Sequence, residues 1–313
     1  MDRVTQRSRD VIRKGSRSFA AAARLFDRET RGNVYLLYAW CRYCDDAIDG
    51  QELGFARPDP QASTIDQRLA RIHDLTERAL AGEPMADPAF QGLQRIVRRY
   101  EIPERYPLDL IEGFAMDASG YRYETLEDTL LYCYHVAGVV GVMMAYVMGV
   151  RHPATLRRAA DLGIAFQLTN IVRDVMDDAA AGRCYLPLDL LRTSGVPPDG
   201  IVDPAYRRNL VEVAGELLRV ADRYYESAAE GVRALPLRAA WAVCTARGVY
   251  RDIGEIVLDR GESAWQRRAI VSGGRKLFWV FAGGARALAA VWRGSRRHAA
   301  PRARDLWTKP GIS

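Results

Sequence analysis

The sequence predicts an all-α protein built as a single domain, on three observations. Apolar residues recur at helical spacing almost throughout, alternating β-branched runs bounded by hairpin turns are missing, and nearly half of the 313 residues are hydrophobic, enough for a substantial core. There is no repeat of fixed period, and the one low-complexity tract is the short run FAAAARLF at 19–26.

Taken in order, the periodicity predicts helices over 5–25 and 28–50, then a loop, GFARPDPQAS, marked by its Gly and Pro. Helices over 61–82, 87–101 and 107–120 follow. The next, 125–149, carries TLLYCYHVAGVVGVMMAYVMGV, which contains no Asp, Glu, Lys or Arg and is long enough to span a bilayer. Its glycines, His135 and its place among amphipathic patterns favour a buried central helix instead. A helix over 153–180 precedes the irregular segment YLPLDLLRTSGVPPDGIVDP, and helices over 205–231, 236–261 and 264–295 complete the domain, 1–297. Residues 298–313 read as a basic, loosely held tail.

The net charge of +6 is a C-terminal property. From Gly261 onward eleven Lys or Arg face only Glu262 and Asp305, a local balance of +9, which leaves about −3 for the rest. No aromatic-basic interleaving accompanies it, so nucleic acid is not an expected partner. RKLFWVFAGGARALAAVW (275–292) joins an apolar face to cations, which fits either peripheral contact with anionic lipid or an ordinary terminal core helix. The N-terminus lacks the apolar stretch of a secretory leader, and five scattered cysteines suit a reducing cytoplasm. Cys41 and Cys44 form a CxxC within a helical pattern, but a second pair for zinc is missing.

Chemistry enters with YAWCRYCDDAID (38–49). At 100° per residue, Tyr38, Arg42, Asp45 and Asp49 fall at about 0, 40, −20 and 20°, so they share one stripe, with Asp46 beside them. Like charges four apart oppose each other by about 0.2–0.5 kcal/mol per pair, which a bound cation would offset. The pattern recurs at 166–187, FQLTNIVRDVMDDAAAGRCYLP, where Gln167, Asn170, Asp174 and Asp178 lie within about 80° and Arg173 points to one side. Two such stripes on apolar helices, if they face each other, suit a hard divalent cation such as Mg²⁺, Mn²⁺ being the possible substitute, together with a phosphorylated ligand. Neither GxxxxGK[ST] nor GxGxxG occurs, so the phosphate carrier is not expected to be a nucleotide. On the 125–149 helix, Tyr134, Gly138, Gly141 and Ala145 share a stripe about 60° wide. This stripe fits either close helix packing or the wall of an apolar channel, and Ala23 fits the channel as well.

These segments, together with GSRSF (15–19), YCYHVAGVVG (132–141), LPLRAAWAV and VYRDIGEIV, resemble the squalene and phytoene synthase family, most closely its bacterial phytoene synthase branch. The resemblance implies the helical isoprenoid synthase fold with a central cavity. It also implies head-to-head condensation of two geranylgeranyl diphosphates, through prephytoene diphosphate, in carotenoid synthesis. Asp45, Asp49, Asp174 and Asp178 match the family's Mg²⁺-diphosphate ligands, with Asp46 and Asn170 close by. Arg42, Arg173, Tyr250 and, by spacing, Arg267 match diphosphate contacts, although Arg268 is adjacent. Ser16, Ser18 and Phe19 match a flap, and Tyr134 matches an aromatic residue beside the reacting carbons.

Rival readings are a squalene or dehydrosqualene synthase using farnesyl diphosphate and a non-catalytic assembly-factor relative. Both aspartate sets are intact, against the latter. No nicotinamide fingerprint appears, so NADPH is not expected.

Overall fold

The computed structural model describes residues 3–15, 22–49, 51–52, 55–56, 64–294 and 300–309. Its described residues are overwhelmingly helical. Among the described residues the only ladder pairs two-residue strands, β1 (Gln51–Glu52), just before the expected loop, and β2 (Phe55–Ala56), inside it. Helix α1 spans Arg3–Gly15 and α2 Arg28–Asp49. The expected 5–25 helix thus has α1 as its first part; residues 16–21, which include Ser16, Ser18 and Phe19, lie outside the described residues.

Caps set several boundaries. Thr64 and Gln67 form a reciprocal capping box that starts α3 (Ile65–Leu80). Asp87 caps α4 (Pro88–Tyr100), with Pro at its first position, and α5 covers Arg105–Ala118. A second box, Thr125 with Asp128, opens the apolar helix α6 (Leu126–Val147). Most of its 18-residue apolar window is buried in the protein, as a core helix requires. Helix α7 (Pro153–Ala180) crosses the centre of the molecule. The short α8 (Leu188–Thr193) was absent from the sequence reading, because six residues carry too little periodicity to register. Helices α9 (Arg207–Gly231), α10 (Leu237–Arg260) and α11 (Gly273–Gly294) follow. The last begins nine residues later than expected: α10 ends at Gly261, whose φ of 54° stops it, and a short irregular connection intervenes.

α1 and α4 pack against α2, α6 and α9 against α7, and α11 against α10, around one large core that includes Trp40, Leu93 and Tyr224. The crossing of α6 and α7 is unusually close. A Cβ on Gly141 would lie 2.3 Å from the Ala159 carbonyl oxygen, and one on Gly163 2.2 Å from that of Ala137. Close packing is therefore a real part of what the small-residue stripe does.

Within α6, the Tyr134–Gly138 turn is wider than an α-helix, and the Val139 N–H donates to the Tyr134 carbonyl five residues back. The neutral His135 ring, its pKa lowered by burial, donates through Nδ1 to the Asp109 carbonyl at 2.7 Å. Gly113 makes room on α5, where a Cβ would press to 2.7 Å from Val136. The extra residue in this turn rotates everything before it by about 100° relative to everything after.

The C-terminal segment is not loose at 300–309. Arg302 forms a forked ion pair with the buried Asp161, Leu306 is buried, and Lys309 pairs with Asp109. A buried carboxylate requires a partner, and the tail supplies it.

Candidate active site

One cavity of about 460 Å³ runs through the helical bundle. Tyr38, Cys41, Arg42 and Asp45 of α2 face it at one end, with Gln167 and Asn170 of α7 and Asp117 of α5. Beyond them the lining turns apolar: Phe114, Ala137, Val140, Met144, Leu162, Val243 and Ala246, and then Ala22, Ala23 and Phe26. Both readings of the small-residue stripe therefore hold, since Gly141 and Ala145 line the cavity that their close crossing helps to frame.

The two acidic stripes belong to one neighbourhood. Burial first, then the charges of Asp49, Asp46 and Asp117, push Asp45 up to about 6 against the pull of Arg42. Burial and then Asp174 push Asp178 up to about 7. Asp117, absent from the sequence reading, is pushed up to about 6 by burial and feels Asp49 as well. Carboxylates from three helices thus raise one another's pKa, an arrangement that a cation would relieve.

The arginines divide between the stripes. Arg42 pairs with Asp45 at 3.1 Å and Asp46 at 2.8 Å. Arg173 holds its neighbour Asp174 with a 2.8 Å bond from Nε. Arg268, at 2.9 Å, is the second cation on Asp174. Arg267 was the expected contact; its carbonyl instead accepts from Arg260, and its side chain is exposed. Of the two adjacent arginines, Arg268 is the one whose side chain reaches the carboxylates. Tyr250 stacks on Phe166 with ring centres 4.1 Å apart, next to Arg173, and burial raises its pKa.

Arg183 joins the stripes: its Nη2 donates to Asp49 at 2.6 Å, and the acidic surroundings outweigh burial and raise its pKa. It reaches there because Gly182, at φ 75°, ends α7 in a left-handed turn that an L side chain would strain. The same turn delivers Tyr185, whose hydroxyl donates to Asp117 at 2.9 Å and whose carbonyl accepts from the buried Thr129 at 2.9 Å.

Tyr134 does not face this cavity. Its hydroxyl donates to Asp109 at 3.2 Å, and it lines a separate, smaller cavity. The aromatic residue of α6 that faces the cavity is Tyr132, which donates to Asp117 at 3.1 Å and stacks on Tyr185 at 4.6 Å. An ideal α-helix extrapolated backward from Gly141 meets Tyr134; the wide turn brings Tyr132 to that face instead.

All the candidate metal donors are carboxylate or amide oxygens, the chemistry of a hard cation. Asn170 Oδ1 is buried with no protein partner, as is Arg42 Nε, so the mouth holds an acceptor and a donor awaiting a ligand. Among the described residues no group of three or more Asp, Glu, His or Cys is arranged to hold an ion alone. Cys41 is pushed up to about 12 by burial and Cys44 also upward, so the CxxC has no thiolate to offer.

The squalene/phytoene synthase family profile matches residues 12–275. The chain belongs to this family. It is 49% identical to the 15-cis-phytoene synthase of Enterobacter agglomerans over 95% of this chain and 99% of that one. Against that of Pantoea ananas it is 48% identical over 96% of both. A ligand-bound dehydrosqualene synthase structure, 27% identical, superimposes with a TM-score of 0.81 over 91% of this chain and 97% of that one. A squalene synthase from Alicyclobacillus acidocaldarius, at 22% identity and a TM-score of 0.67 over 94% and 95%, shares the fold. The helical isoprenoid synthase fold and the prenyltransferase class follow.

Proposed function

We propose that this chain is a prenyltransferase that condenses two geranylgeranyl diphosphates head to head, through prephytoene diphosphate, into phytoene. The observation that carries the reading is a single cavity with an acidic, arginine-bearing mouth and a long apolar interior. The diphosphate heads sit at the mouth and the hydrocarbon tails inside.

Asp45, Asp49, Asp174 and Asp178, with Asn170 and Asp46, are the residues that would hold Mg²⁺ or Mn²⁺, whose chemistry is to neutralise the departing diphosphate. Arg42, Arg173 and Arg268 exchange their present carboxylate partners for phosphate oxygens, to which guanidinium forks are well matched. The apolar interior excludes water from the reacting carbons. Tyr132, oriented by Asp117 and Tyr185, takes the position beside the reacting carbons that the resemblance gave to Tyr134, and holds or passes a proton there.

Because substrate and product are both oily, we also propose that this cytoplasmic enzyme docks on anionic membranes through α11. Leu277, Phe281, Leu288 and Trp292 are more than half exposed and share one face about 60° wide, with Arg275 and Lys276 at the helix start.

The test is to incubate the purified protein with Mg²⁺ and either geranylgeranyl or farnesyl diphosphate, without NADPH, and identify the hydrocarbon by mass and ultraviolet spectrum. A C40 triene supports the reading. A C30 product from farnesyl diphosphate alone moves the chain to the dehydrosqualene branch, and no product with either favours a non-catalytic relative.

A further inference from the structure

On the opposite side of α6 from Tyr132 lies a second cavity of about 160 Å³, between α5, the start of α7 and the C-terminal segment. Its charge is one-sided. Arg302 is neutralised by Asp161 and Lys309 by Asp109, but three other guanidinium groups lining it have no carboxylate partner among the described residues. Arg151 donates only to the carbonyls of Tyr146, Val150 and Tyr100. Arg105 donates to the Tyr106 hydroxyl at 3.0 Å and lies over the Tyr106 ring, 4.8 Å from its centre. Arg157 has no hydrogen bond or ion pair among the described residues.

Arg105 and Arg151 are exposed and Arg157 is half-buried, so water satisfies them at rest, and an anion entering the cavity meets three guanidinium groups with no carboxylate to displace. The phenol groups of Tyr106 and Tyr146 add O–H donors, and the first turn of the 28-residue α7, begun by Pro153 with no side-chain cap, adds its positive dipole end. We propose that this cavity is a second oxyanion site that takes a free diphosphate group. At roughly 30 Å³ per water, it has room for about five waters, enough for diphosphate and too little for a long prenyl chain. The site is independent of which prenyl diphosphate enters the main cavity. It draws on α6 and α7, whose other sides line that cavity, and on the C-terminal segment, so an occupant would clamp all three together.

The experiment uses full-length protein in EDTA, where the acidic mouth has no metal through which to hold diphosphate. Inorganic diphosphate is titrated by calorimetry and by tryptophan fluorescence, since Trp307 lines the cavity 6.3 Å from Tyr134. Expected is one-site binding without metal, a fluorescence change lost in Trp307→Phe, and at least tenfold weaker binding in Arg157→Gln. That residue has no partners to lose, so the variant should fold, and Arg105→Gln should deepen the loss. Asp45→Asn should leave this binding unchanged. Absence of metal-free binding, or affinity unaltered in the Arg105→Gln/Arg157→Gln pair, overturns the site. Binding to phosphatidic acid vesicles but not to free diphosphate overturns its assignment to a soluble ligand.

Discussion

The two ends of the main cavity are built on the same helices and have opposite chemistry. On α7 and α10 the residues toward one end are Asn170 and Tyr250, joined there by Asp45 of α2, while Ala159, Leu162, Ala242 and Val243 line it further in. The mouth holds carboxylates whose pKa values are driven upward by burial and by one another. The interior has almost no polar group, Arg158 being an exception that is held by the Ser227 carbonyl at 2.8 Å and by that of Ala300. The difference teaches that this fold confines its mutually repelling carboxylates to one end of the cavity and leaves the other end almost without polar groups.

Disabling the mouth should have the largest effect. Asp45→Asn or Asp178→Asn should lower turnover by on the order of 10²–10³, as losing one preorganised electrostatic group does elsewhere, with the folded state intact by circular dichroism. Next comes the boundary between the regions. Tyr132→Phe should lower kcat by about 10²-fold, the low end for a positioned acid-base group, while Tyr134→Phe should stay near the parent. Equal effects would contradict the assignment of the two faces of α6.

The interior should control length more than rate. Ala23→Phe, on a buried residue lining the cavity, should turn preference from geranylgeranyl toward farnesyl diphosphate while metal dependence is unchanged, measured by product mass.

A smaller, thermodynamic effect separates the ends by pH. Asp45, Asp117 and Asp178 have folded pKa values above their unfolded ones, so the folded protein holds their protons more tightly. Their penalty is absent below about pH 4, grows as pH rises through 6 to 7 and is complete above. Without metal, their contribution to Tm should therefore fall between pH 5 and pH 8, and Mg²⁺ should restore part of it at pH 8. The smallest effect on turnover in detergent solution should come from Phe281→Asp on α11, whose ring is 69% exposed, although flotation with anionic vesicles should decline.

Much of this contrast is legible in the sequence, because i, i+4 carboxylates and helical periodicity are local signals. Asp45, Asp49, Asp174 and Asp178 can be found that way. Asp117, Arg183 and Tyr185 cannot, since each joins the mouth only through a contact between distant elements: Asp117 to Tyr185, and Arg183 to Asp49. The LP of GRCYLP marks a break, but not where the chain returns. Tyr132 was missed because stripe arithmetic assumes an unbroken α-helix, and the wide turn at Tyr134–Gly138 invalidates it. The tail read as loose because its charges were counted without the buried Asp161 that Arg302 meets.

The most direct test of the central claim is a crystal structure with Mn²⁺ and a non-ionisable thio analogue of geranylgeranyl diphosphate, with the metal located by anomalous scattering. The account predicts metal and diphosphate between the α2 and α7 carboxylates, with the hydrocarbon running past Val140 and Met144 toward Ala23. A diphosphate bound away from Asp45 and Asp178, or a tail lying outside this cavity, would contradict it.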